Sequence, residues 1–380
     1  MQFANRKWWG LFLAATCISS TAYAEIKIGA VLSVTGPASF LGEPQKQTLD
    51  IYVKKINDAG GINGERIRLI SYDDGGDAIA SRTFATRLVE DDKVDFVVGG
   101  SGTGNSLAMI PIMEGAKIPF VSFSGGVQII DPVRKWVFKP PHTDLMACQK
   151  IFEHIKKRGF TKVALIAGQG GFAKSMVTQC KLAAPNYGIS IIADESYGAR
   201  DSDVTPQLNR IRGIAGVQAV INPDIGQGPA IVVRNYKQLG MTTPLYLSHP
   251  AATYGFLQLA GPSAEGVLLP APSLLVVDEL PNSDPQKAVL HEYKTTFEKA
   301  TGKTVDAFGG YAYDGLAMLV DAIKRAGSKN PEKVRDALEK TKNFVATVGI
   351  INMSPTDHLG IDLSSFRMLT VKNGKWVSAP

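Results

Sequence analysis

The sequence is short of nearly everything that marks a catalytic or metal-binding chain. Only 3 cysteines and 5 histidines occur in 380 residues. None of them forms a C-x-x-C or H-E-x-x-H pattern, and there is no G-x-S-x-G elbow, which removes common zinc, redox and nucleophilic-serine signatures. An enzyme is therefore not expected, nor a metal or cofactor. The one acidic cluster, Asp73, Asp74 and Asp77, stands just before a helical pattern, where acids cap a helix more often than they hold a cation. Blocks of one charge are missing too. The 41 Lys and Arg residues are dispersed among 35 acids, without basic and aromatic interleaving, so nucleic acid is not an expected partner.

Long apolar runs are scarce. The run from Trp8 to Ile18 is shorter than the roughly 20 residues that span a bilayer. It follows Arg6 and Lys7 and precedes Ala22-Tyr23-Ala24, the order of a secretory signal with a small-residue cleavage site, so export and a mature start at Glu25 are expected. A lipid anchor on Cys17 competes, but Thr16 occupies the place where a small Gly or Ala is usual. Cleavage after Ala24 removes Arg6, Lys7 and no acid, which takes the formal net charge from +6 to +4. It leaves Cys148 and Cys180 on helices expected to flank one strand. A disulfide and two buried free thiols both remain open.

What is present is alternation. A strand at 26–32 leads through a Gly- and Pro-broken loop, 33–42, into a helix with Leu49, Val53 and Ile56 on one stripe, stopped by Gly60-Gly61-Ile62-Asn63-Gly64. Strands at 67–73, 96–98 and 119–122 follow, with helices at 78–91 and from Leu107 between them. A second series begins near His142, with strands at 162–167, 189–193, 218–222 and 244–248 separated by helical patterns. Helices at 291–300 and 311–326 have no strand between them and are expected to return to the first series; the tail at 369–377 reads as a hairpin turning at Asn373-Gly374. The expected fold class is α/β, with two doubly wound parallel-sheet lobes, because 380 residues exceed what one core organises. Loops at the carboxyl ends of parallel strands line ligand clefts.

The most informative of these loops follows the strand at 96–98. Gly99 and Gly100 lead into Ser101, Gly102, Thr103, Gly104, Asn105 and Ser106 before the apolar helix. Small residues at a helix start expose backbone N–H groups and the positive end of the dipole, a place for a carboxylate. Ser124-Gly125-Gly126 is a second bare loop of the same kind. Tyr311 and Tyr313, at helical spacing, read as core.

Together, several stretches resemble the solute-binding proteins of ATP-driven importers, in the leucine/isoleucine/valine-binding branch with the two-lobed type I periplasmic fold. They are Ile26-Lys27-Ile28-Gly29, Thr35-Gly36-Pro37, the helix end Ile56 to Gly64, Tyr72-Asp73-Asp74 and Tyr313-Asp314-Gly315-Leu316. The resemblance implies a monomeric periplasmic protein delivering a small molecule to an inner-membrane ABC permease. It also implies three hinge crossovers, near Pro141, Ala271 and Gly349, hence lobes of 25–141 with 272–348 and 142–271 with 349–380. The ligand carboxylate is implied to meet Ser101, Gly102 and Thr103, and Ser124 with Gly126. Phe40, Phe172, Ile225 and Phe308 fall on positions that resemble the pocket lining. The amino-acid binders carry Thr where Gly126 stands and an acid for the ammonium where His249 stands. An aromatic or apolar organic acid is therefore favoured over a branched-chain amino acid. Sensing through a separate partner protein is a further alternative.

Overall fold

The computed structural model describes residues 25–198 and 200–380; the leader expected over 1–24, with Cys17, lies outside them. Strand β1 (Glu25–Leu32) alternates strictly, and each face meets its own core. Ile26, Ile28 and Ala30 face one cluster, while Val31 faces another. Helix α1 (Ser39–Asp58), β2 (Arg66–Asp73), α2 (Ala78–Glu90), β3 (Phe96–Gly99), α3 (Thr103–Ala116), β4 (Phe120–Ser122) and β5 (Val137–Phe138) complete a five-stranded sheet of order β2-β1-β3-β4-β5. All its pairings are parallel, as expected when helices cross over between strands.

The second lobe repeats the scheme with α4 (Asp144–Lys157), β6 (Lys162–Gly168), α5 (Gly171–Ala183), β7 (Ser190–Tyr197), α6 (Thr205–Arg212), β8 (Ala219–Asn222), α7 (Gly228–Gln238), β9 (Leu245–Leu247), α8 (Tyr254–Ala260) and β10 (Leu268–Ala271). Val163, Leu165 and Ile221 pack on one face of this sheet, and Ala164, Ile166 and Val220 on the other. Helices α9 (Lys287–Thr301), α10 (Ala307–Ala326) and α11 (Pro331–Glu339) return to the first sheet, where Tyr293, Leu316 and Leu338 share a cluster with Ile28. Strands β11 (Phe344–Val345) and β12 (Ile350–Ile351) pair with each other.

The tail hairpin is present, and two other expectations need correction. In the second sheet β13 (Arg367–Lys372) lies antiparallel to β10, and β14 (Lys375–Ser378) antiparallel to β13. A hairpin closed by the two-residue turn Asn373-Gly374 can only add antiparallel strands. The third crossover comes later than Gly349, because Ile351 and Met353 still pack in the first core. Helix α3 begins at Thr103, four residues ahead of Leu107, since the small residues taken for loop already form its first turn. The question left open at the cysteines has an answer: Cys148 on α4 and Cys180 on α5 are joined as a disulfide.

The crossovers are stitched together. His142 Nε2 and Ser365 Oγ lie 2.9 Å apart, Lys139 N donates to His358 O at 3.1 Å, and Arg367 Nε donates to Ser273 Oγ at 2.7 Å. Lys139 is fully buried beside this hinge, its ammonium donating to the carbonyls of Pro141 and His142. Burial pushes its pKa down to about 7.

Candidate functional site

The carboxyl ends of both sheets face one another across a cavity of about 330 Å³. The first lobe supplies Leu41, Ser101 to Asn105, Phe123 to Gly125, Phe308 and Tyr311; the second supplies Gly170 to Phe172, Ile225, His249 and Pro250. Of the residues singled out in the sequence, Ser101, Gly102, Thr103, Ser124, Phe172, Ile225, His249 and Phe308 all line this space. The remaining two, Phe40 and Gly126, are not in its wall.

Phe40 sits edge-on to Phe308, with ring centroids 5.9 Å apart, and reaches Gly226 of the opposite lobe. It seals the rim behind Phe308. Gly126 lies behind Thr103: a Cβ there would come within 2.4 Å of Thr103 Cγ2 and 3.0 Å of its Oγ1. Its backbone is ordinary, at φ −71°, so the glycine is required by space. It lets Thr103 occupy the room a side chain at 126 would take.

The turn into α3 depends on glycine for a different reason. Gly100 has φ +66°, and a Cβ on it would meet Ser106 Oγ at 2.3 Å. Ser106 Oγ instead donates to Gly100 O at 2.8 Å and lies 2.7 Å from Ser122 Oγ. Other polar side chains of this wall are similarly engaged. Ser101 Oγ donates to Gln45 Oε1 at 2.6 Å and accepts from Ser33 N at 3.0 Å. Asn105 Nδ2 donates to Asp74 Oδ2 at 3.0 Å, and Ser124 Oγ donates to Ser106 Oγ at 3.3 Å. Thr103 differs: it is 5% exposed, and its Oγ1 has no hydrogen-bond partner among the described residues. An unmatched buried hydroxyl costs roughly 1–3 kcal/mol unless something arrives to bond it.

Two helix starts open onto the cavity. Helix α3 is capped by Gly102 and α5 by Gly170, and neither has a side chain bonding its first N–H groups. Both leave those donors and a partial positive charge free for an anion. His249, in the 3₁₀ turn after β9, is 2% exposed, and its Nδ1 has no partner. Its ring stands edge-on to Phe172 at 5.6 Å. Burial, and secondarily the charge of Lys139, lower its pKa to about 3, so the imidazole is neutral at ordinary pH. Among the described residues, no Asp, Glu, Lys or Arg lines the cavity. Asp224, next to the lining residue Ile225, is engaged elsewhere, accepting from Tyr197 Oη at 2.5 Å; burial lifts its pKa above the usual carboxylate range.

Reading the sequence placed Tyr311 in the core, where it packs, without its side toward the cavity, and missed Phe123. Helical spacing assigns a face, and this face is shared by core and cavity. Phe123 follows directly on β4 and carries no local mark of its role. Among the described residues no group of side chains suited to a metal is found, and no helix is long and apolar enough to cross a membrane.

The family model described as periplasmic binding protein matches residues 25–375. The chain belongs to the periplasmic binding protein family. This periplasmic binding protein is 26% identical over 368 residues to the leucine-, isoleucine-, valine-, threonine- and alanine-binding protein of Pseudomonas aeruginosa, covering 95% of this chain and 92% of that one. Among solved structures, an extracellular ligand-binding receptor from Rhodopseudomonas palustris HaA2 superposes with a TM-score of 0.86 at 27% identity, over 94% of this chain and 100% of that one. The branched-chain amino acid transporter substrate-binding protein of Streptococcus pneumoniae, in complex with isoleucine, gives 0.81 at 22% identity, over 93% and 97% of the two chains. The fold is therefore that of type I periplasmic binding proteins, and the family is one of solute-binding proteins that serve ABC transporters.

Proposed function

We propose that this periplasmic binding protein, exported with cleavage after Ala24 and acting as a monomer, closes its lobes over a small organic acid with an apolar or aromatic body and delivers it to an ABC permease. The lobes in this reading are 25–141 with 272–348, and 142–271 with the tail, the stretch from 349 to 353 going to the first lobe because Ile351 and Met353 pack there. Ligand contacts from both lobes bias the hinge toward the closed state. The observation that carries the proposal is the charge inventory of the cavity among the described residues: two helix starts without a side-chain cap and the unpartnered Thr103 hydroxyl, with no carboxylate in the wall. An anion is favoured there, whereas a buried ammonium without its acid costs several kcal/mol. Phe123, Phe172, Phe308 and Ile225 suit an apolar body, at roughly 25 cal/mol per Å² buried.

Capture of a branched-chain amino acid is the second reading, supported by the name of the Pseudomonas aeruginosa relative. A thermal-shift screen of the chain from Glu25 separates the two. One panel holds aliphatic amino acids, the other benzoate- and phenylpropanoate-like acids. A ligand at 100 times its Kd adds about 2.7 kcal/mol of stability. Stabilisation confined to the acids is expected; stabilisation confined to leucine, isoleucine or valine overturns the proposal.

A further inference from the structure

The polar groups of the cavity-lining residues that lack a partner among the described residues can all donate: the backbone N–H groups of two helix starts, hydroxyls, and a neutral imidazole. Helix α3 offers the N–H groups of its first turn from the first lobe, and α5 offers those of Gly171 and Phe172 from the second. The two helices touch across the cleft, and the Phe172 ring lies close to Gly125, so both sets of donors serve one end of the cavity. Three side chains of the lining add to them: Thr103 with its unpartnered Oγ1, His249 with its unpartnered Nδ1, and Tyr311 with its hydroxyl.

A carboxylate has two oxygens and about four acceptor positions. The α3 start and Thr103 occupy those turned to the first lobe, which leaves the donors of α5, His249 and Tyr311 to a second acceptor. An ammonium beside the carboxylate is the wrong complement. It brings three hydrogens and no lone pair, between two positive helix ends.

Resting on the carboxylate reading above, we propose that the cavity selects acids carrying a second hydrogen-bond acceptor next to the carboxylate, 2-oxo acids above all, through donors on Tyr311, His249 and the start of α5. A 2-hydroxy acid fits less well, since its hydroxyl must give its own hydrogen to His249. Buried donors left unpaired are what make a site reject an analogue that lacks the matching group.

Titration calorimetry on the chain from Glu25 tests this with matched acids. The aromatic set is phenylpyruvate, 3-phenyllactate, 3-phenylpropanoate and phenylalanine; the aliphatic set is 4-methyl-2-oxopentanoate, 4-methylpentanoate and leucine. In the set that binds, the 2-oxo acid is expected to be tighter than the unsubstituted acid by about tenfold or more. Tyr311→Phe and His249→Leu should shrink that ratio. Equal affinity for the 2-oxo and unsubstituted acids overturns this inference and leaves the carboxylate reading standing. Tightest binding by the amino acid overturns both, and binding by none of the seven overturns this inference. A ratio unchanged in both variants removes Tyr311 and His249 from the selecting role.

Discussion

The two walls of the cleft are assembled from the same parts, a bare loop after a parallel strand and an uncapped helix start, yet they differ in what stands behind them. Behind the first wall the polar side chains are bonded to one another. Asp74 alone accepts from Ser33 Oγ at 2.6 Å, Gly76 N at 2.9 Å, Ser81 Oγ at 2.7 Å and Asn105 Nδ2 at 3.0 Å. Behind the second wall Asp224 takes the Tyr197 hydroxyl on its carboxylate, and the wall's own polar side chain, His249, has an unbonded nitrogen. A hydroxyl-rich loop is thus not the same as a hydroxyl-rich site. The first wall uses most of its hydroxyls to hold its shape and presents backbone N–H groups and Thr103, while the second presents a helix start and an imidazole held neutral by burial.

The largest effect should come from breaking the first network. Asp74→Ala removes one acceptor from four donors, of which Ser81 Oγ keeps Asp77 O and Asn105 Nδ2 keeps Ser81 Oγ while Ser33 Oγ and Gly76 N lose theirs, and is expected to cost about 3–5 kcal/mol of unfolding free energy in chemical denaturation; a loss below about 1 kcal/mol would mean the network is not holding the wall.

Next comes the acid limb of the second wall. A histidine with its folded pKa depressed to about 3 binds its proton less readily than in the unfolded chain, where the pKa is near 6.5. The unfolded state then takes up more protons, so the stability His249 contributes is present above pH 6.5 and is lost as pH falls toward 3, by on the order of 3 kcal/mol. Replacing it as His249→Gln should flatten the stability profile in that window, and an unaltered slope would show that the imidazole is not buried neutral.

Thr103→Val separates ligand role from structural role. The hydroxyl has no internal partner, so stability without ligand should stay within about 1 kcal/mol or rise, while affinity for the bound acid falls by about 1–3 kcal/mol in calorimetry. Equal loss of both would place Thr103 in the framework.

The smallest effect belongs to the rim. Phe40 touches Phe308 and Gly226 but not the cavity, so Phe40→Leu should change affinity by less than about 0.5 kcal/mol; a larger loss would bring the rim into the site.

Much of this was open to a reader of the sequence, because the relevant signals are local. The alternation of short apolar strands with helical stripes announces parallel α/β lobes, and glycine-rich strand ends announce where a ligand sits. Eight of the ten residues singled out line the cavity. The other two share one cause. Phe40 and Gly126 were assigned by position along the chain, whereas their roles depend on Phe308 and Thr103, which arrive from distant elements. Tyr311 sits on a helix whose buried face continues into the cleft, a continuity that periodicity does not encode.

By itself, then, the sequence determined the element order, the class of the fold and the loops that meet in the cleft, since these follow from backbone propensity and the period of apolar residues. Only the tertiary structure decided which donors remain unspent. Ser101 and Thr103 are two residues apart on one small-residue stretch, yet one hydroxyl is bonded to Gln45, 56 positions away, and the other to nothing. Hydrogen-bond partners are allocated by packing across the whole lobe, and the site is what that allocation leaves over.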